Sequence, residues 1–115
     1  MERDVLEKLV GKTILLDEGL NFATYGLLFR LDSQHLELSS AIRIGVDDGR
    51  GKISGFEKIS AYVGSPYHGR IVLGEELKDY FVNRNQVRRL LPYKLNKILL
   101  ENLSEKERKR IKEIL

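Results

Sequence analysis

Residues 24–44, "TYGLLFRLDSQHLELSSAIRI", constrain the fold more than any other part of the chain. Tyr25, Leu27, Phe29 and Leu31 fall at every second position, with Gly26, Leu28 and Arg30 between them. After the polar "DSQH", Leu36, Leu38, Ile42 and Ile44 alternate with Glu37, Ser39, Ala41 and Arg43. Period-two alternation belongs to strands that present one face to a core. Two such runs joined by a short polar turn predict an antiparallel hairpin.

The flanking segments extend this element. "RDVLEKLVGK" places Val5, Leu6, Leu9 and Val10 on one side of a short helix, which Gly11 ends. "TILL" (13–16) reads as a strand and "DEG" (17–19) as a turn. "GVDDGRGKISG" (45–55) holds four of the ten glycines and reads as a loop; it matches neither a Walker loop nor a dinucleotide fingerprint. "KISAYV" (58–63) alternates weakly, as a strand would, and "GSPYHG" (64–69) is a turn. "RIVL" and "LKDYFV" read as two strands flanking Gly74, where a glycine marks a bulge or a close backbone approach.

The pattern changes after Val82. "VRRLLPYKLNKILLENL" carries Leu91, Leu95, Ile98, Leu99 and Leu103 at helical spacing. "SEKERKRIKEIL" opens a further helix with Ser104 and Glu107 in capping-box spacing. The predicted fold is therefore mainly β: an N-terminal helix and a small, strongly bent barrel of about five strands over 1–82, with an enlarged loop at 45–68. A basic helical extension over 83–115 follows.

Charge divides at the same place. Residues 1–82 carry 10 Lys and Arg against 13 Asp and Glu, whereas residues 83–115 carry 10 against 4. A basic tail on a mildly acidic body is a grip for phosphates or a solvated helix face. The chain of 115 residues has no cysteine and no long apolar run. This leads to the expectation of one domain in a reducing compartment, the cytoplasm, with no membrane contact and no thiolate metal site. The opening "MERDVLEKLV" is charged and amphipathic, unlike a signal peptide.

Three stretches together resemble the Sm and Sm-like family of RNA-associated proteins. "DVLEKLVGKTILL" is similar to that family's opening helix and first strand, and "YGLLFRLDSQHLELSSA" to its first motif. "GRIVLGEEL" is similar to its second motif, which runs close to V-I-R-G-N/D-x-I. The resemblance implies a five-stranded open barrel, with Gly74 where the short fourth strand passes into the fifth. It also implies a head-to-tail ring, commonly of about six or seven copies, closed by pairing the fourth strand of one copy with the fifth of the next. The pairing segments would be Arg70, Ile71, Val72 and Leu73, and Leu77 to Val82 with Tyr80 and Phe81.

RNA is the implied partner. Where the family holds uridine with a stacking residue, an asparagine and an arginine, this chain has Ser33, His35 and Leu73; Glu75 stands at the acid-or-amide position after the glycine. With a turn one residue shorter, His35 takes the stacking role. Candidate RNA contacts are then Gln34, His35, Gly74 and Glu75 on the body, with Arg84, Arg88, Arg89, Arg108, Lys109 and Arg110 on the tail. The competing expectation is a protein–protein adaptor without nucleic acid on an Sm-like barrel, or on a PRC-like barrel, whose opening "LVGKTILLDEG" also resembles. His35 and His68 lack metal-ligand spacing, and Asp47 and Asp48 sit in turn chemistry. No enzyme, metal or small-molecule cofactor is expected.

Overall fold

A computed structural model describes residues 3–49, 53–61, 70–95 and 97–114. The chain is mainly β, with one antiparallel sheet of six strands that does not close on itself. Helix α1 (Arg3–Glu7) leads into β1 (Thr13–Asp17), β2 (Ala23–Leu31) and β3 (His35–Asp47). A two-residue strand, β4 (Ile53–Ser54), precedes α2 (Phe56–Ala61). The long β5 (Arg70–Asn83) runs into a 3-10 turn over Arg84–Gln86 and then β6 (Arg89–Pro92). Helices α3 (Lys97–Glu101) and α4 (Glu105–Ile114) follow.

The sheet runs β6-β1-β2-β3, with β5 along the other edge of β3 and β4 continuing past the end of β2. The predicted hairpin is β2–β3. Its tip is an Asx turn, in which Asp32 Oδ1 accepts the Gln34 and His35 N–H groups, both at 2.7 Å.

The two faces of the sheet are covered by different ends of the chain. Beneath α1, Leu6 and Leu9 pack on Ile14, Leu16, Leu28, Leu36 and Leu38. Under α2, α3 and α4, the core holds Leu15, Tyr25, Ile42, Ile44 and Ile71 with Phe56, Ile59, Leu99 and Ile111. The apolar stripe of the tail thus finds its partner on its own body. Leu95, Leu99, Leu103 and Ile111 are all buried. The capping box forms as expected: Glu107 N–H donates to Ser104 Oγ and Ser104 N–H to Glu107 Oε1.

Alternation does not carry through the hairpin strands. Register shifts leave Ser39 as an extra residue in β3 and Phe29 as an extra residue in β2, and Asp79 in β5, opposite Ser39, has a φ of 48°. An added residue reverses which face every later side chain occupies. Leu36 and Leu38 therefore join one core while Ile42 and Ile44 join the other. Leu28 is buried and Phe29 is exposed, the reverse of the simple alternation. Three irregularities at one level of three adjacent strands bend the sheet along a line.

Further expectations are corrected. Arg70–Leu73 and Leu77–Val82 are parts of one strand, not two. Opposite Arg43, β5 places both Gly74 and Glu75, a bulge. The ring of Phe22 lies against this bulge; a Cβ on Gly74 would sit 3.2 Å from Arg43 Cβ and 3.5 Å from Phe22 Cδ1. Gly26 is the more constrained glycine, since a Cβ there would come within 2.5 Å of Ser40 O. Residues 56–61 are helical rather than extended, because Phe56 and Ile59 turn one face onto the core. The loop expected from residue 45 begins later, since β3 continues to Asp47. The turn at 64–69 and His68 lie outside the described residues. "RLLP" is strand, not helix: β1 presents an unpaired edge, and Arg89–Pro92 fill it. Of the four apolar residues assigned to one side of the first helix, Leu6 and Leu9 are buried, while Val5 and Val10 are exposed.

Candidate nucleic-acid interface

At one end of the β3–β5 ladder, two chain reversals meet. The β2–β3 turn supplies Asp32, Ser33, Gln34 and His35. The end of β5 supplies Asn83, whose side chain accepts Asn85 N–H at 2.9 Å and starts the 3-10 turn. The register aligns His35 with Asn83. Arg84 fastens the reversals together: its N–H donates to Gln34 O at 2.8 Å and its Nη1 to Asp32 O at 2.9 Å. Gln34, Asn85 and Gln86 are exposed at the tip, with His35 half-buried beside them.

The electrostatics of the tip are set by hydrogen bonds. The N–H groups of Gln34 and His35 hold the Asp32 carboxyl below its ordinary range. His35 Nδ1 lies 3.6 Å from the same carboxylate. Below the tip, Leu6, Leu36, Val87 and Leu90 floor a cavity of about 280 Å³, and Arg84 and Arg88 line its polar part.

On the outer sheet face next to the tip, the register sets Phe81 opposite Glu37 and Glu37 opposite Arg30. Arg30 Nε donates to Glu37 Oε2, and its guanidinium lies 5.7 Å from the centre of the Phe29 ring. Phe81 is 57% exposed, whereas the Glu37 side chain is 9% exposed. Arg30, Asp32, His35, Glu37 and Phe81 line a shallow slot of about 120 Å³.

The candidate residues fall in four places. Gln34, His35 and Arg84 come together at the tip, and Arg88 lines the adjoining cavity. Arg89 ties β6 to β1 and α2: Nε and Nη2 bond Asp17 Oδ2 at 3.0 and 2.8 Å, Nη1 bonds Glu57 Oε1, and the guanidinium lies 4.7 Å from the Phe56 ring centre. Gly74 and Glu75 are at the bulge, opposite Arg43, eight residues along β3 from His35. At ~3.3 Å per residue that is about 26 Å of strand. Arg110 is bound there, with Nη2 on Gly74 O at 2.9 Å and Nε on Glu76. Arg108 and Lys109 are exposed on α4.

Of the expected pairing residues, Ile71 and Val82 are buried in the two cores. Val72, Leu73 and Leu77 are half-buried, and Arg70 and Phe81 are exposed. Tyr80 is half-buried, and its hydroxyl donates to Glu18 Oε2 at 2.7 Å. Burial and this carboxylate raise the pKa of Tyr80, against the influence of nearby Arg43.

Sequence reasoning passed over Asn83, Asn85, Glu37 and Arg30. The one local signal was the polar "NRNQ" (83–86) between two apolar runs, turn chemistry included in the expected helical extension without being assigned. In comparisons with known proteins, no family model, curated protein or solved structure matched the chain.

Proposed function

We propose that this chain is a divergent Sm-like protein that assembles head to tail through its free sheet edges and binds RNA at the paired reversals. The supporting observation is the meeting of the β2–β3 turn with the β5–β6 connection, fastened by Arg84. Two reversals side by side present backbone groups, amides and an imidazole to one ligand, which suits an unpaired nucleotide. The strand order β6-β1-β2-β3-β5 leaves β6 and β5 as outer edges, which supports head-to-tail pairing.

Assembly would join β5 of one copy to β6 of the next. Among the described residues, neither strand has a partner on its outer edge. The bond from Tyr93 N–H to Thr13 O sets the phase of β6, so that the main chains of Leu90 and Pro92 face outward. Proline carries no N–H, so the outer edge of β6 offers one donor, at Leu90. The contact is therefore short in hydrogen bonds and depends on side-chain packing.

The competing reading is an adaptor that binds protein and no nucleic acid. It is favoured by the engagement of Arg89 and Arg110 in ion pairs within the chain. Light scattering behind a sizing column, followed by RNA titration over a range of salt, separates the two. The RNA reading expects a closed oligomer and an affinity that falls with salt. It also expects Arg84→Ala to weaken binding. Oligomers without RNA affinity support the adaptor; a monomer without RNA affinity defeats the ring proposal.

A further inference from the structure

We propose that the slot between Phe81 and the Glu37–Arg30 pair is a binding site for an unpaired guanine of single-stranded RNA. This rests on the RNA reading above and names the base that the sheet face accepts.

The slot has two chemically different walls. Phe81 presents an uncovered aromatic face, and base–aromatic stacking is the usual way a protein holds an unstacked nucleobase. Glu37 supplies the second wall. Its carboxylate is largely out of water, and Arg30 occupies Oε2 alone. Among the described residues, no other group bonds it. An ionised carboxylate accepts hydrogen bonds at both oxygens and donates none. Arg30 balances its charge and holds its orientation, while Phe29 backs the guanidinium.

A carboxylate in this setting reads donors. The Watson–Crick edge of guanine carries adjacent imino and amino N–H groups, which match the two oxygens of one carboxylate. Uracil offers one imino N–H between two carbonyl oxygens, and either oxygen would face the buried negative charge. Adenine and cytosine offer an amino group without an adjacent ring N–H. The slot thus favours guanine over adenine and cytosine, and disfavours uracil.

Its position fits a strand of RNA already held at the tip. Glu37 and Phe81 lie two residues from His35 and Asn83 along the same two strands. Side chains two apart share a sheet face, so a nucleotide at the tip and its neighbour in the slot occupy one continuous surface.

The test uses the full chain and two labelled nonamers, one all uridine and one with a single central guanosine, followed by fluorescence anisotropy. The guanosine is expected to tighten binding by about tenfold, as a two-bond base contact does. Phe81→Ala and Glu37→Gln should each remove that gain, with native mass and circular dichroism unchanged. Equal affinity for the two nonamers overturns the slot and leaves the RNA reading standing. So does a guanosine gain that survives both variants. A Phe81→Ala variant that remains folded but loses its oligomer also overturns it, because the ring would then lie in a subunit contact. Absence of binding to either nonamer overturns the RNA reading and this inference together.

Discussion

The β3–β5 ladder has two arms that meet at Ser39 and Asp79, and they are finished in different ways. In the first arm, His35–Leu38 pairs with Tyr80–Asn83; one face is packed beneath α1, and the other carries the uncovered Phe81 and the half-buried His35. In the second, Ile42–Asp47 pairs with Arg70–Glu76. One face of this arm lies under α2, α3 and α4, Phe22 lies against Gly45 and Gly74, and Arg110 takes the carbonyl of the bulge. Apart from the bulge opposite Arg43, the same two strands pair alike in both arms. What differs is the cover that the rest of the chain supplies. The tip is thus left open, whereas Gly74 and its carbonyl are partly covered by Phe22 and Arg110.

The largest test of this contrast is the cover itself. Leu99 is fully buried in the core of the second arm. Leu99→Ala should cost about 3 kcal/mol in denaturant unfolding, from lost burial plus the cavity. A cost below about 1 kcal/mol, within the range of surface changes, would mean that α3 is not docked and that the two arms are alike. For the same reason, removing everything after Asn83 does not isolate an RNA-binding tail. It deletes β6 from the sheet and four buried tail residues from the core.

Gly74→Val comes next. Branched atoms would crowd Arg43 and Phe22, a strain of about 2 kcal/mol. Gly74→Ala needs only a small shift and should cost less than Gly26→Ala, whose Cβ would meet backbone oxygen. Thermal unfolding of the two alanine variants gives the ranking. The reverse order would place the close backbone approach at the bulge rather than at the β2–β3 crossing.

Arg110→Ala should destabilise by about 1 kcal/mol, the scale of a partly exposed ion pair with one carbonyl bond. A double-mutant cycle with Glu76→Gln should show coupling of a few tenths of a kcal/mol or more. Full additivity would mean that α4 does not clasp β5.

Acid weakens a different strap. Burial opposes the charge on Asp17, but the Gly19 N–H and the Arg89 guanidinium outweigh it and hold the carboxyl below its ordinary range. The folded-state pKa is therefore lower than the unfolded one. The contribution is present above about pH 4 and is lost as pH falls through the folded value. The stability gap between the wild type and Asp17→Asn should narrow below about pH 4. A gap constant down to pH 2 would show that the carboxylate is not held by Arg89.

The smallest stability effect belongs to the open arm. Phe81→Ala should stay within about 0.5 kcal/mol of the wild type, as for an exposed side chain. A loss above about 2 kcal/mol would reveal hidden cover on that face and remove the contrast.

Part of the site was visible in the residues. The polar "DSQH" reads as a turn, and in the structure Asp32 closes it as an Asx turn. The partner reversal was not visible, because "NRNQVRRLLP" carries both turn chemistry and leucines near helical spacing. The open edge of β1 selects the strand. The arginines show the same limit: Arg84, Arg89 and Arg110 look alike in a basic tail, yet one fastens the tip, one straps β6 to β1 and α2, and one holds the bulge.

The sequence by itself determined the local pieces: the β2–β3 hairpin, the polar turn at 32–35, the Ser104–Glu107 cap and the apolar stripe of the tail. Each depends on contacts within a few residues, so the pattern of those residues is enough. Only the tertiary structure decided which face of each strand is buried, which glycine is crowded and which cations are left on the surface. One added residue at Phe29 or Ser39 reverses every face beyond it while leaving the alternation of residue types intact. Pairing of distant segments then settles what that alternation cannot.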